Sequence, residues 1–245
     1  MSLGTQPLKN VILLVFLPIS LLFGWVYKKW SESKLQKLVR NKLVLTYDDG
    51  PSVFENGTME LLATLDELEV KASFYLVGWR AQKHPEICDA IRNGKHELGC
   101  HTANHVDPWR SFPVMQSIDD ISDGYVQLGR WISSNAPFRP PRGRLTAYTW
   151  WELKRRQARI DYWSHDSGDT RNQMSDPKAL IDGLLESQGG AVLMHCHHRN
   201  PERIKYTIET TRALVSLARQ RGWEICTMEG LLGNRTSETL DSGST

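Results

Sequence analysis

A chain of 245 residues with 40% apolar side chains can build one large domain with a real core, or two small ones. A net charge of +2 gives no case for a nucleic-acid protein, and no nucleic-acid partner is expected. Four cysteines, Cys88, Cys100, Cys196 and Cys226, contain no Cys-x-x-Cys pair and are too sparse for a disulfide scaffold, so buried thiols are expected.

After a short tail at 1–10, Val11 to Tyr27 reads VILLVFLPISLLFGWVY, seventeen residues without a charge. As a helix this is about 26 Å long, close to the thickness of a hydrocarbon core. Trp25 and Tyr27 followed by Lys28 and Lys29 resemble an interfacial belt with a basic stop. No small-x-small cleavage pattern follows Leu22. The segment is therefore expected to be an uncleaved single-pass transmembrane anchor over 11–27, with membrane lipid as its partner, rather than a cleaved signal peptide or, given its all-round hydrophobicity and terminal position, a buried globular helix. Residues 28–42 are expected to be a basic linker, carrying Lys28, Lys29, Lys34, Lys37, Arg40 and Lys42. Their charge favours a cytoplasmic catalytic domain, or a linker lying on anionic headgroups.

From Leu43 to Leu232 strand-like and helix-like segments alternate. Leu43-Val44-Leu45 opens a buried strand that runs into Asp48-Asp49-Gly50-Pro51. A leucine stripe over Thr58–Glu69 predicts a helix, Ala72–Val77 a strand, and Ala81–Arg92 a helix stopped by Asn93-Gly94. Glu97–Gly99 is a short strand, Ser117–Ile132 a helix with Asp119 and Asp120 in its first turn, and Ala147–Gln157 a shorter helix. Ile160–Trp163, Ala191–His195 and Trp223–Thr227 read as strands; Asp176-Pro177 opens one helix, and Arg203–Arg219 is another. Residues 233–245, nearly without apolar content, read as a loose tail. Repeated strand–helix units of this length imply a parallel sheet, closed as a barrel or open.

Five constellations then sit at strand ends, where α/β folds place their sites. Two carboxylates, Asp48 and Asp49, close the first strand. His101 and His105 are four apart, one above the other if the segment makes a helical turn. Imidazole is the commonest zinc ligand, and one carboxylate from Asp48 or Asp49 would complete a three-ligand site with an open position. The rigid stretch Phe138–Gly143 offers Arg139 for a two-pronged bond to a carboxylate. Trp163–Asp169 brings further acidic groups, and Val192–His195 delivers a histidine that an aspartate partner would keep protonated.

The motifs TYDDGP, HTANH, RPPRG, DSGD and LMH, in that order, resemble the five motifs of the polysaccharide deacetylases, the NodB homology domain of carbohydrate esterase family four. The resemblance covers 43–232. It implies an α/β fold, a distorted (β/α) barrel with a divalent metal at the strands' carboxyl ends: zinc by expectation, with cobalt, nickel or manganese as alternatives. It implies metal binding by Asp49, His101 and His105, and Asp48 as general base toward the attacking water. Arg139 would hold Asp48; His195 would be the general acid, tuned by Asp166. The backbone around Pro141-Arg142 would stabilise the oxyanion, and Trp163 and Leu193 would shape the acetyl pocket. The implied activity is N-deacetylation of amino sugars in a polysaccharide or lipid-linked saccharide. An O-acetyl esterase and a carbohydrate-binding pseudoenzyme are the alternatives, the latter requiring a lost ligand, base or acid; none is lost. Family habit would put the domain outside the cell, against the charge pattern.

The sequence departs from the family in places. Tyr47 replaces the usual phenylalanine of the first motif, and Thr170 the tryptophan that commonly closes the fourth. Arg142, with Arg144 nearby, points to an anionic feature on the substrate: phosphate, sulfate or carboxylate. His197 and His198 have no family role and read as structural or groove-lining.

Overall fold

Six short strands, all paired in parallel, position everything that follows. A computed structural model describes residues 6–110, 115–197 and 200–233. The strands are β1 (Lys42–Gly50), β2 (Ser73–Leu76), β3 (Glu97–Cys100), β4 (His165–Asp166), β5 (Gly190–His195) and β6 (Glu224–Cys226). Their order is β3-β2-β1-β5-β4, and β6 joins the first residues of β1. Single bridges Cys100↔Phe138 and Phe138↔Ile160 carry the parallel pairing one step beyond β3 at each link. Parallel strands need covered crossovers, and β1 is accordingly apolar on both faces, with Leu43, Val44, Leu45 and Tyr47 fully buried. The Tyr47 hydroxyl is matched by Thr211 at 2.7 Å, so the phenol that replaces a phenylalanine leaves no buried polar group unpaired.

The helices are α1 (Gln6–Leu38), α2 (Gly57–Glu67), α3 (Gly78–Lys83), α4 (Pro85–Asn93), α5 (Met115–Leu128), α6 (Ala147–Arg155), α7 (Pro177–Ser187), α8 (Pro201–Arg221) and α9 (Met228–Gly233). The single helix expected over 81–92 is two, because Pro85 cannot continue α3 and instead starts α4. The strand expected at Ile160–Trp163 is only the bridge at Ile160; the paired strand comes later, at His165–Asp166. All four cysteines are unpaired thiols, three of them buried. His198 and the tail from 234 lie outside the described residues.

The largest departure from expectation is α1. One helix runs from Gln6 to Leu38 across the expected boundary between anchor (11–27) and linker (28–42), and its later part lies on the domain that follows. Ser20 is buried and accepts a hydrogen bond from the Ala147 amide at 2.9 Å. Phe23 and Tyr27 pack edge-on against Trp150, and Leu35 and Val39 join a cluster with Val44 and Ala191. Among the described residues no helix is long and apolar enough to cross a membrane. From Ser20 to Leu35, one face of the helix covers the domain.

Candidate active site and metal centre

Neighbouring residues on a strand point to opposite faces, so Asp48 and Asp49 should not share a site. They do because β1 is bulged there. The register with β2 slips between Asp48 and Gly50, and Asp49 takes a left-handed φ of 70°. Asp48 faces His195 across the β1–β5 pairing, two residues beyond the Thr46↔Leu193 pair on the same face. The bulge turns Asp49 the other way, toward the histidine loop.

That loop follows β3 and is not helical. Thr102 and His105 both adopt left-handed φ, 69° and 59°, and the two imidazoles meet at a ring distance of 4.9 Å. The helical turn considered for His101–His105 is thus replaced by a loop tied down by α5. Buried Asp120 accepts from the Asn104 amide at 2.7 Å and from the Val106 amide at 2.9 Å. Asp120, expected only to favour a helix start, is the residue that holds the second histidine's loop.

Three donor atoms converge here. Asp49 Oδ1 lies 3.3 Å from His101 Nε2 and 3.3 Å from His105 Nε2. It is buried and makes no aligned hydrogen bond. His101 Nδ1 contacts the Arg139 carbonyl at 2.7 Å. A carbonyl only accepts, so Nδ1 donates there and Nε2 is the ring nitrogen turned toward the cluster. Burial, then His101, lowers His105 to about 4. Burial pushes the Asp49 carboxyl up, but His101, His105 and His195 together hold it below the usual carboxylate range. A carboxylate and two imidazoles within 4.8 Å of one another, one oxygen unsatisfied, is a donor set that fits a divalent cation.

Two locked proton-carrying groups flank it. Asp48 Oδ1 accepts from Arg139 Nη1 at 2.8 Å, while its Oδ2 is 3.8 Å from His101 Nε2. Arg139 is completely buried; it also donates to Thr46 at 2.7 Å and to the Tyr162 carbonyl at 3.2 Å, and lies over the Tyr75 ring. On the other side, His195 Nδ1 meets Asp169 Oδ1 at 2.9 Å, and the His195 amide donates to Asp169 Oδ2 at 2.7 Å. Burial works against the imidazolium, but the charge and hydrogen bond of Asp169, with Asp49 and Asp48 behind them, raise His195 to about 9.

The partner of His195 is therefore Asp169 and not Asp166, as expected from the sequence. Asp166 ends β4, is 41% exposed, accepts from the Gly168 amide and faces Arg171 at 3.8 Å. Gly168, at φ 72°, reverses the chain and swings Asp169 into the interior, where it is fully buried. The available signal was position: Asp169 directly precedes Thr170, where the motif's tryptophan commonly stands.

The remaining expected residues lie near these groups: Leu193 precedes His195 on β5 by two residues, and Trp163 lies 5.7 Å from the Arg139 guanidinium. Pro141 is buried and Leu193 nearly so. Arg142 sits at left-handed φ 57° in a tight turn whose two hydrogen bonds are donated by Gly143 and Arg144, so neither uses the Arg142 amide. Trp163 packs against that turn: a Cβ on Gly143 would lie 2.7 Å from its ring. Arg144 is taken up by an ion pair with Asp107 and by the Trp109 ring, whereas Arg142 stays 61% exposed with Asp107 at 3.7 Å.

A sequence profile of polysaccharide deacetylases matches residues 36–160, about half of the chain. The chain belongs to the polysaccharide deacetylase family. A peptidoglycan-N-acetylglucosamine deacetylase of Bacillus cereus is 24% identical over 208 residues, covering 84% of this chain and 93% of that protein. The peptidoglycan-N-acetylmuramic acid deacetylase PdaA of Bacillus subtilis is 24% identical over 180 residues, covering 71% and 66%. Among solved structures, a peptidoglycan N-acetylglucosamine deacetylase superposes with a TM-score of 0.67 at 23% identity, covering 78% of this chain and 88% of the other. At that identity the superposition establishes the fold: an α/β architecture on a parallel sheet.

Proposed function

We propose that this protein is a metal-dependent hydrolase that removes N-acetyl groups from amino sugars of a glycan. The observation that carries the reading is the unsatisfied Asp49–His101–His105 donor set standing between a carboxylate fixed by arginine and an imidazolium fixed by carboxylate. The names of the relatives, deacetylases of peptidoglycan sugars, support an N-acetylated glycan as substrate.

Asp49, His101 and His105 would hold the cation, zinc by the chemistry of two imidazoles and one carboxylate. Bound there, a divalent cation lowers the pKa of water and polarises the acetyl carbonyl. Asp48, oriented by Arg139, accepts the proton of the water that attacks the carbonyl carbon. The Arg142 amide, not used in its own turn, would donate to the oxygen as negative charge develops on it. His195, charged at neutral pH, gives its proton to the nitrogen as the C–N bond breaks, releasing a free amine and acetate. Leu193 and Trp163 wall the acetyl group.

The test is acetate release from N-acetylglucosamine oligomers and peptidoglycan glycan by the full chain, stripped of metal and reloaded with zinc or cobalt. Metal-dependent release that His101→Ala lacks supports the reading. Tight metal binding without release from any N-acetyl glycan overturns it, and release from O-acetylated glycan alone would make it an esterase.

The protein's attachment to a membrane is also our proposal. Its support is the uncharged run of 11–27 and the exposed side chains of Ile19, Leu22, Trp25, Val26 and Trp30 on α1. The neighbouring lysines would meet anionic headgroups. The protein is then expected to pellet with membranes and to need detergent for release. Recovery in the supernatant after lysis without detergent would refute attachment.

A further inference from the structure

The sequence offers no reason to place any site residue in α1, yet one of its side chains reaches the Arg142–Gly143 turn and the Trp163 ring. Lys28 Nζ stands 4.7 Å over the Trp163 ring. A Cβ on Gly143 would lie 2.7 Å from that same Nζ, so the ammonium rests directly on the turn that follows Arg142. Its side chain is 23% exposed, and burial lowers its pKa, with Glu32 opposing and Lys29 adding to the effect. The carboxylate beside it, Glu32, lies at 3.6 Å and is closer to Lys29, at 3.0 Å.

We propose that α1 forms one wall of the substrate site, and that Lys28, together with Arg142, receives an anionic group of the saccharide, a carboxylate or a phosphate ester. The inference rests on the deacetylase reading, because it takes the Trp163 wall as the acetyl side of the site. A half-desolvated ammonium over an aromatic face favours an anion more than a fully hydrated lysine would, since less water must be removed on binding. Arg142, exposed on the adjoining residue of the same turn, supplies a second cation with a forked donor. Arg144, the other arginine of this stretch, is spent on Asp107. Lys28 thus takes the place that the sequence suggested for Arg144. A carboxylate would come from a sugar of the muramic acid type, and a phosphate from a hexosamine linked to a lipid carrier. Both would bring negative charge close to the acetamide.

Binding to the full chain, in detergent and reloaded with zinc, is measured by calorimetry with three ligands. These are a neutral N-acetylglucosamine oligomer, an N-acetylmuramic acid-containing fragment of equal length, and an N-acetylhexosamine phosphate ester. The wild type should prefer one of the charged ligands to the neutral one by about tenfold or more. The preferred ligand identifies the carboxylate or the phosphate as the source. Lys28→Gln should collapse that preference, Lys28→Arg should retain most of it, and 0.5 M salt should weaken it. Arg142→Gln serves as a second variant should Lys28→Gln fold poorly, with melting temperature as the check. Equal affinity of the wild type for neutral and charged ligands overturns the inference, as does a preference that survives both glutamine variants. Because binding is the readout, a missing acetate signal would count against the deacetylase reading and leave this comparison intact.

Discussion

The candidate metal side of the site and its two candidate proton-handling sides are built on opposite principles. Asp48 and His195 each have a buried counter-charge at hydrogen-bond distance, Arg139 at 2.8 Å and Asp169 at 2.9 Å. Asp49 and His105 have no such partner holding them; the Asp49 oxygen is buried without an aligned bond, and His105 is pushed toward neutrality. Groups that must keep one protonation state are locked by charge, and groups that must offer lone pairs are left unsatisfied. A buried unsatisfied oxygen costs stability, so its persistence marks a place where another electrophile is meant to sit.

The sharpest way to break the contrast is on the unsatisfied side. His101→Ala removes one donor and the bridge to the Arg139 carbonyl, and should abolish both zinc binding and acetate release; calorimetry with zinc checks the first. Next in size, Asp48→Asn keeps the shape but cannot take a proton. It should lose about 10²–10⁴-fold in kcat while still binding zinc. Wild-type turnover in that variant would remove Asp48 from its role.

Asp169→Asn sharpens the comparison by pH. The folded pKa of His195 is raised above its ordinary value, so the imidazolium donor is present below about 9 and is lost as pH rises through that value. The alkaline limb of the rate profile should therefore fall near pH 9, and the amide variant should move it to lower pH, with the largest deficit at alkaline pH. Asp166→Asn, exposed and turned away, should leave the limb in place. The smallest expected effect is structural: removing residues 1–30 strips Ser20, Phe23 and Tyr27 from the domain and should lower Tm by about 5–10 °C. An unchanged melting temperature would show that α1 adds nothing to the fold.

Most of the site was legible because its chemistry is carried by strand ends. Asp48, Asp49, His101, Arg139 and His195 follow apolar runs whose burial fixes where the strand stops, and the structure brings all five together with His105. What was illegible depends on loops and on covering surfaces. Asp169 replaces Asp166 because a left-handed glycine, invisible to any periodicity, reverses the chain between them. His101 and His105 share a spacing of four with a helix but are joined by a loop that α5 holds through Asp120. The role of α1 was hidden because an apolar helix face that covers a domain reads like one that faces lipid. Only the partners Trp150, Leu145 and Ala147 tell them apart.

Gly143 stands between Lys28 and Trp163 with room for a hydrogen and nothing more. Its place beside the Arg142 turn means that any side chain there would push the Lys28 ammonium aside and press on the Trp163 ring. The helix proposed to meet the membrane and the helix proposed to wall the substrate site are thus one piece of polypeptide.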